Sequence, residues 1–156
     1  MIKMTIRILI SILIVALTND SSAFAKESES ALFKKARALI KQKKNVDAQS
    51  VYEKIIQNNP KSAEAHAGLG WAYYTQGQRD LAEAEAQKAL QIDNKIPMAH
   101  NVMGAIYFAK GQVEEAKNEF RTVLKLDPNQ RCGGCSDLRG LLGSEIGLPR
   151  KKKRTK

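Results

Sequence analysis

The sequence repeats itself at a spacing of 34 residues. The residues that recur at this spacing are glycines, tyrosines, histidines and alanines: Gly70 and Gly104, Gly77 and Gly111, Tyr73 and Tyr107, His66 and His100, and Ala48, Ala82 and Ala116. So many matches at one shared offset are implausible by chance. A period of this length is typical of a repeat array, in which each unit buries its apolar face only against its neighbours.

Within each unit the apolar residues follow the period of an α-helix. Leu69, Ala72 and Tyr73 share one helical face, and the same pattern returns one period later. Gly77 suits the end of a first helix, because glycine adopts the left-handed conformation without a Cβ clash. Pro60 ends a second helix in the same scheme. The sequence therefore predicts helix pairs at residues 29–42 with 46–58, 62–76 with 80–92, and 96–110 with 114–126.

Two other recurring glycines are explained by their size. Gly70 and Gly104 are predicted to lie where two helix backbones approach closely, with the small residues Ala82 and Ala116 on the partner helices.

These residues resemble the signature of the tetratricopeptide repeat (TPR) family, which reads W-x2-L-G-x2-Y, then A-x3-F, then P. The third unit matches best, with His100-x2-Met103-Gly104-x2-Tyr107, Ala116-x3-Phe120 and Asp127-Pro128. The second unit has His66-x2-Leu69-Gly70-x2-Tyr73, Ala82-x3-Ala86 and Asp93-Asn94. The first unit is degenerate and keeps Leu32, Ala36, Leu39, Ala48-x3-Tyr52 and Pro60. The resemblance implies an all-α fold, a right-handed helix-turn-helix solenoid over residues 26–130, with repeats at about 29–62, 63–96 and 97–130.

The segment that follows, residues 131–149, is predicted to cover the outer apolar face of the third repeat. Four apolar residues form one helical stripe in it: Leu138, Leu141, Leu142 and Ile146. We expect a short capping helix here, weakened by Gly140 and Gly143.

Residues 1–25 have the three parts of a secretory signal peptide. Lys3 and Arg7 are basic, residues 8–17 are apolar with one interruption, and Ala23-Phe24-Ala25 fits a signal-peptidase site. A membrane anchor is the alternative, but a spanning helix needs about 20 apolar residues and this run has about half of that. Cleavage after Ala25, and export to the periplasm or the exterior, are therefore predicted.

The C-terminus is strongly basic. The formal net charge of the chain is +10, and six cations lie in the last seven residues: Arg150, Lys151, Lys152, Lys153, Arg154 and Lys156. We expect a solvated, disordered tail, with weak contact to an anionic surface as the functional alternative. No nucleic-acid partner is expected, because the tail has no interleaved aromatic residues for stacking on bases.

Cys132 and Cys135 form a CxxC pair whose interpretation depends on the compartment. In an exported protein a structural disulfide is the first interpretation. Thiols that are free or that pair between chains are the second, and redox or metal use is the third. Haem attachment would need a histidine where Ser136 stands, and structural zinc would need two more ligands. A thiol–disulfide redox protein stays open as an alternative function.

The residue patterns do not indicate an active site, a cofactor or a metal centre. No nucleophile is accompanied by a base and an orienting group, and no glycine-rich phosphate loop follows a strand. His66 and His100 stand where the family pattern has tryptophan, so we predict packing roles for both. The pairs Glu83 with Glu85 and Glu114 with Glu115 are predicted to lie on solvated helix faces. A non-enzymatic protein is therefore expected.

TPR proteins generally bind an extended peptide or a partner's helix along the first helices of their repeats. The resemblance therefore implies a groove for a protein or peptide partner, lined by Phe33, Arg37, Trp71, Tyr74, Asn101 and Phe108. Tryptophan, tyrosine and arginine are the residue types most often found as binding hot spots. The alternative for Trp71 and Phe108 is partial cover by neighbouring helices.

One TPR subclass clamps the C-terminal carboxylate of chaperone peptides with lysine, asparagine and arginine side chains. At the matching positions this sequence has Phe33, Arg37, Gly68, Met98 and Val102. Because four of the five lack the required polar group, a carboxylate clamp is not expected.

Overall fold

The structure is a computed structural model, and it describes residues 27–129. Six helices form three consecutive pairs: α1 (Glu29–Lys41) with α2 (Asn45–Asn58), α3 (Ala63–Thr75) with α4 (Arg79–Ile92), and α5 (Pro97–Ala109) with α6 (Val113–Leu126). No strand is present between residues 27 and 129. Each helix begins and ends within one residue of its predicted bounds, so the all-α repeat fold is confirmed.

The chain reverses direction within each pair through one recurring hydrogen-bonded turn. In the second pair Gly77 has a φ of +78°, and its N–H donates to the carbonyl of Tyr74 at 3.0 Å. The N–H of Gln78 donates to the carbonyl of Tyr73 at 3.0 Å. This is the Schellman arrangement, which satisfies carbonyls at a helix end and needs a left-handed residue. Gly111 repeats it with a φ of +78° in the third pair.

Lys43 occupies the equivalent position in the first pair, 34 residues before Gly77. Its φ is +60°, its N–H donates to the carbonyl of Ile40 at 3.0 Å, and that of Lys44 donates to Leu39 at 2.9 Å. A residue with a Cβ costs about 1–2 kcal/mol in this left-handed conformation. Glycine has no Cβ and avoids this cost. The first repeat is thus degenerate in sequence but regular in its backbone.

Each helix pair buries its apolar side chains against the next pair. Helix α3 packs against α4 in its own pair, α2 in the pair before and α5 in the pair after. The largest fully buried apolar side chains come from the first and third pairs: Leu32, Ile55, Ile106, Val102 and Val123. Burying a side chain of this size contributes about 1.5–3 kcal/mol, so contacts between pairs stabilise the array.

The two recurring glycines, Gly70 and Gly104, differ in what surrounds them. A Cβ on Gly70 would lie 3.1 Å from the carbonyl oxygen of Ala82 and 3.3 Å from the amide nitrogen of Ala86, so here two helix backbones do approach closely. At Gly104 the three atoms nearest to such a Cβ all belong to the ring of Phe120, at 2.5–3.0 Å, so a side chain is what requires the small residue there. The two sites differ because α4 has Ala86 where α6 has Phe120, one period later.

Replacing Gly104 with alanine is expected to destabilise the protein by about 1–3 kcal/mol. The new Cβ would lie 2.5 Å from Cε1 of Phe120, so the buried ring would have to move. Urea unfolding followed by circular dichroism measures the loss. In a Phe120→Ala background, which copies the second repeat, the same change is expected to cost less, because the clash with the ring is gone. Equal effects of Gly104→Ala in both backgrounds would contradict this account.

Candidate partner-binding groove

Side chains from the first helices of the three pairs meet along one surface, which we call the groove (α1, α3 and α5). Arg37 of α1 forms a hydrogen-bonded ion pair with Glu64 of α3. Further along, the hydroxyl of Tyr74 in α3 donates to the carbonyl of Ala105 in α5 at 3.5 Å. These two contacts connect the three first helices from one repeat to the next.

The N-terminal part of the groove combines an aromatic ring with a paired cation. Phe33 is half-buried, and its ring lies 6.4 Å from that of Tyr52 at an angle of 59°. The guanidinium of Arg37 lies 6.0 Å from the centre of the Phe33 ring, within the range of a cation–π contact. The hydrogen bond that Arg37 donates to Glu64 raises the pKa of Arg37, and burial raises the pKa of Tyr52 to about 12.

A surface pocket of about 790 Å³ opens beside these residues. One face of α1 from Glu29 to Lys41 lines it, including Phe33 and Lys34, and Glu64 lines the other side. The pocket therefore offers both apolar and charged groups.

The central part of the groove is a stacked aromatic pair. The rings of Trp71 and Tyr74 lie 5.7 Å apart with 28° between their planes, and both are half-buried. Trp71 also packs against the apolar clusters on both sides of α3. The pair is consequently fixed in orientation while part of each ring remains accessible.

The two residues predicted from α5 differ in exposure. Phe108 is 53% exposed, a large accessible apolar surface for a side chain of this kind. Asn101 is only 2% exposed, so contrary to the prediction it offers a partner almost no surface. Its burial follows from the position of α5, which contacts α3, α4 and α6.

Both histidines form buried or half-buried hydrogen-bonded pairs with glutamates. His66 is 1% exposed, its Nδ1 lies 2.6 Å from Oε2 of Glu85, and its Nε2 lies 3.0 Å from the carbonyl oxygen of Pro60. His100 repeats this geometry with Glu119 at 2.6 Å and the carbonyl of Asn94 at 2.9 Å. Both ring nitrogens of each histidine therefore lie within hydrogen-bond distance of an oxygen atom.

These pairs correct the sequence prediction for Glu85. It was expected on a solvated face, yet its side chain is 24% exposed and bonded to His66. The signal for it is present in the sequence, because each histidine is followed by a glutamate 19 positions later in both repeats. In the first repeat the corresponding residues are Leu32 and Val51, which are buried and apolar.

Raising the pH above about 6.5 is expected to destabilise the third repeat. The hydrogen bond between His100 and the carboxylate of Glu119 raises the pKa of His100 from its ordinary value of 6.5. Stability from this pair is therefore fully present below about 6.5 and is lost as the pH rises through the raised pKa. Urea unfolding at a series of pH values measures the slope. A His100→Leu/Glu119→Val variant should show a shallower slope, and an unchanged slope would contradict the assignment.

Other predicted features lie outside the described residues. These are the segment 131–149 with Cys132 and Cys135, the signal-like residues 1–25, and the tail of Arg150, Lys151, Lys152, Lys153, Arg154 and Lys156. Between residues 27 and 129 there is no group of three or more side chains that could hold a metal ion. In the same range no helix is long and apolar enough to cross a membrane.

Three stacked helix pairs, each with a Schellman turn between its two helices, define a helical-repeat protein. Two tetratricopeptide-repeat sequence profiles match the chain, one over residues 39–106 and the other over residues 97–130. The chain belongs to the tetratricopeptide-repeat family.

Several solved structures are similar to this chain. The first TPR domain of Spaghetti (RPAP3), bound to the HSP90 peptide SRMEEVD, is 26% identical with a TM-score of 0.56, over 72% of this chain and 89% of that one. The Arabidopsis OM64 TPR domain is 25% identical with a TM-score of 0.57, over 69% and 88%. The Yersinia enterocolitica type III secretion translocator chaperone SycD shares the fold at 21% identity and a TM-score of 0.56, over 70% and 83%. No curated protein sequence matches the chain.

Proposed function

We propose that the protein is a non-enzymatic scaffold or adaptor that binds a peptide or a partner protein in its groove. The main support is the accessible aromatic surface formed by the stacked Trp71–Tyr74 pair and by Phe108, which is 53% exposed. Aromatic side chains held in fixed orientations exclude water from a contact and lose little freedom on binding. The tetratricopeptide-repeat family, a family of generally non-enzymatic interaction scaffolds, supports the same function.

The solved Spaghetti domain holds a peptide, which supports a peptide partner for the groove of this chain. Its mode of recognition does not transfer directly. At two of the clamp positions this chain has Gly68 and Val102. A Cβ added at Gly68 would lie 2.3 Å from the Tyr52 ring, and Val102 is fully buried. We therefore assign recognition to apolar and aromatic contacts rather than to a carboxylate clamp.

Export to the periplasm or the exterior is part of this proposal and rests on the sequence of residues 1–25. N-terminal sequencing of the isolated protein tests it, and a retained Met1 would rule it out. A structural disulfide between Cys132 and Cys135 belongs to the same proposal. Complete alkylation of both thiols without reductant would instead favour the redox alternative or free thiols.

The groove is tested by selecting ligands for the purified full-length protein from a random peptide library. Affinities of the selected peptides are then measured by fluorescence anisotropy for wild type, Phe108→Ala and Leu81→Ala. Leu81 in α4 is 50% exposed, which makes it a matched apolar control away from the first helices. Phe108→Ala is expected to weaken binding by about tenfold and Leu81→Ala by less than about twofold. Equal effects of the two variants would contradict groove binding.

A further inference from the structure

Positive charge in the described part of the chain is concentrated on α1 and the turn after it. Residues 30–46 contain six cations and no acidic residue: Lys34, Lys35, Arg37, Lys41, Lys43 and Lys44. Residues 45–129 contain nine basic and eleven acidic residues. One end of the array is therefore basic, while the remainder is slightly acidic.

Two of these lysines line the 790 Å³ pocket together with Phe33. The carboxylates that share this pocket already have partners. Glu64 pairs with Arg37, and Glu29 accepts hydrogen bonds from Ser62 at 3.3 Å and Asn59 at 3.4 Å. Within residues 27–129, neither Lys34 nor Lys41 has a hydrogen bond or an ion pair with a protein group. Their ammonium groups are thus not paired with a carboxylate in this part of the chain.

Among the six described helices, none packs against this face of α1 from the N-terminal side. Ala65, Gly68 and Ala72 of α3 are buried, and α3 packs against the pair that precedes it. The residues one period earlier are Ala31, Lys34 and Ala38, and all three are exposed. The equivalent face of α1 therefore carries an exposed lysine, Lys34, where α3 has the buried Gly68.

A peptide segment fits this surface better than a lipid bilayer does. A basic amphipathic helix binds a bilayer by burying its apolar face among the lipids. The apolar face of α1 is already occupied, since Leu32, Ala36 and Ile40 are 1%, 0% and 8% exposed in the protein core. What remains accessible is a pocket lined by the Phe33 ring and by the side chains of Lys34 and Lys41.

We propose that this basic face of α1 is a docking surface for an acidic stretch of the partner peptide. The inference rests on the proposed groove function and deepens it by naming the chemistry of one end of the partner. Lys34 and Lys41 are seven residues apart, or about 10 Å along the helix axis. In a peptide with polyproline II geometry, which has three residues per turn and rises about 3.1 Å per residue, carboxylates three positions apart lie on one side and span about the same distance. An apolar residue next to the carboxylate at Lys34 would contact Phe33.

The test uses a short fluorescein-labelled peptide in which two glutamates three positions apart enclose a leucine in a Gly-Ser background. Its anisotropy is titrated with the full-length protein, with Lys34→Ala/Lys41→Ala, and with Lys35→Ala/Lys44→Ala. The second variant removes the same charge from residues that do not line the pocket. At physiological salt the pocket variant should bind about tenfold more weakly and the control variant within about twofold of wild type. A peptide with glutamines in place of glutamates should lose binding as well.

Three results would overturn the proposal. The first is equal weakening in both lysine variants, which would make the charge a general solubilising feature of a terminal repeat. The second is no binding of the peptide by the wild type. The third is tighter, Lys34- and Lys41-dependent binding to vesicles of equal parts phosphatidylcholine and phosphatidylserine.

The library-selected peptides separate this proposal from the groove itself. If they lose affinity in Phe108→Ala while none depends on Lys34 and Lys41, the groove function stands and the acidic docking surface is wrong. If they are indifferent to Phe108→Ala, the groove function fails on its own test.

Discussion

Replacing Glu85 with alanine is expected to destabilise the protein by about 3 kcal/mol. The change leaves His66, which is 1% exposed, without the carboxylate that lies 2.6 Å from its Nδ1. Removing one partner of a buried pair is costly, because the remaining polar or charged group is neither solvated nor compensated. Urea unfolding followed by circular dichroism at neutral pH measures the loss.

The first repeat supplies the matched control for this experiment. It has Leu32 and Val51 at the positions of His66 and Glu85, and they are 1% and 8% exposed. A His66→Leu/Glu85→Val variant is therefore expected to recover most of the stability that Glu85→Ala loses, since replacing both partners of a buried hydrogen bond by apolar groups can be nearly neutral. If Glu85→Ala were as stable as wild type, the proposed stabilising role of the His66–Glu85 pair would be contradicted. A double variant no more stable than Glu85→Ala would contradict it as well.

Replacing Trp71 and Tyr74 together with alanine is expected to weaken partner binding by about 2 kcal/mol or more, which is about 30-fold in Kd. The two rings form one stacked surface, so the double change removes the central apolar contact of the groove. Affinity is measured by anisotropy with a library-selected peptide. Because Trp71 also packs against two apolar clusters, circular dichroism must confirm that the variant is folded under the binding conditions.

Tyr74→Phe is the control for that variant. It removes only the hydroxyl, which lies 3.5 Å from the carbonyl oxygen of Ala105, and keeps the ring. Binding close to that of wild type is expected. A loss as large as that of the double alanine variant would assign recognition to the hydroxyl rather than to the aromatic surface.

The helix pairs were predictable because their ends are marked by residues with strong backbone preferences. Glycine at Gly77 and Gly111 provides the left-handed turn residue, and the 34-residue period then places every helix. Lys43 adopts the same conformation without such a mark, so its turn followed only from the period. The nature of the contact at Gly104 depended on a side chain packed against it from another helix, which no local pattern reveals.

The groove was predictable only in outline. Family geometry selected Trp71, Tyr74 and Phe108, whose rings are partly accessible in the structure. It could not reveal that Asn101 is 2% exposed, because burial depends on how α5 packs against three other helices. The histidine–glutamate pairs were missed because each residue alone is compatible with an ordinary position on a helix.

The most direct test of the central claim compares the groove with the basic tail. Peptide affinity is measured at low and at physiological salt for Trp71→Ala/Tyr74→Ala and for a deletion of residues 150–156. Exposed charge is screened over about 8 Å at physiological salt, so the tail should affect binding mainly at low salt. The account predicts that the double alanine variant loses affinity at both salt concentrations, while the deletion binds normally at physiological salt. Loss of binding in the deletion at physiological salt, with normal binding by the double alanine variant, would contradict it.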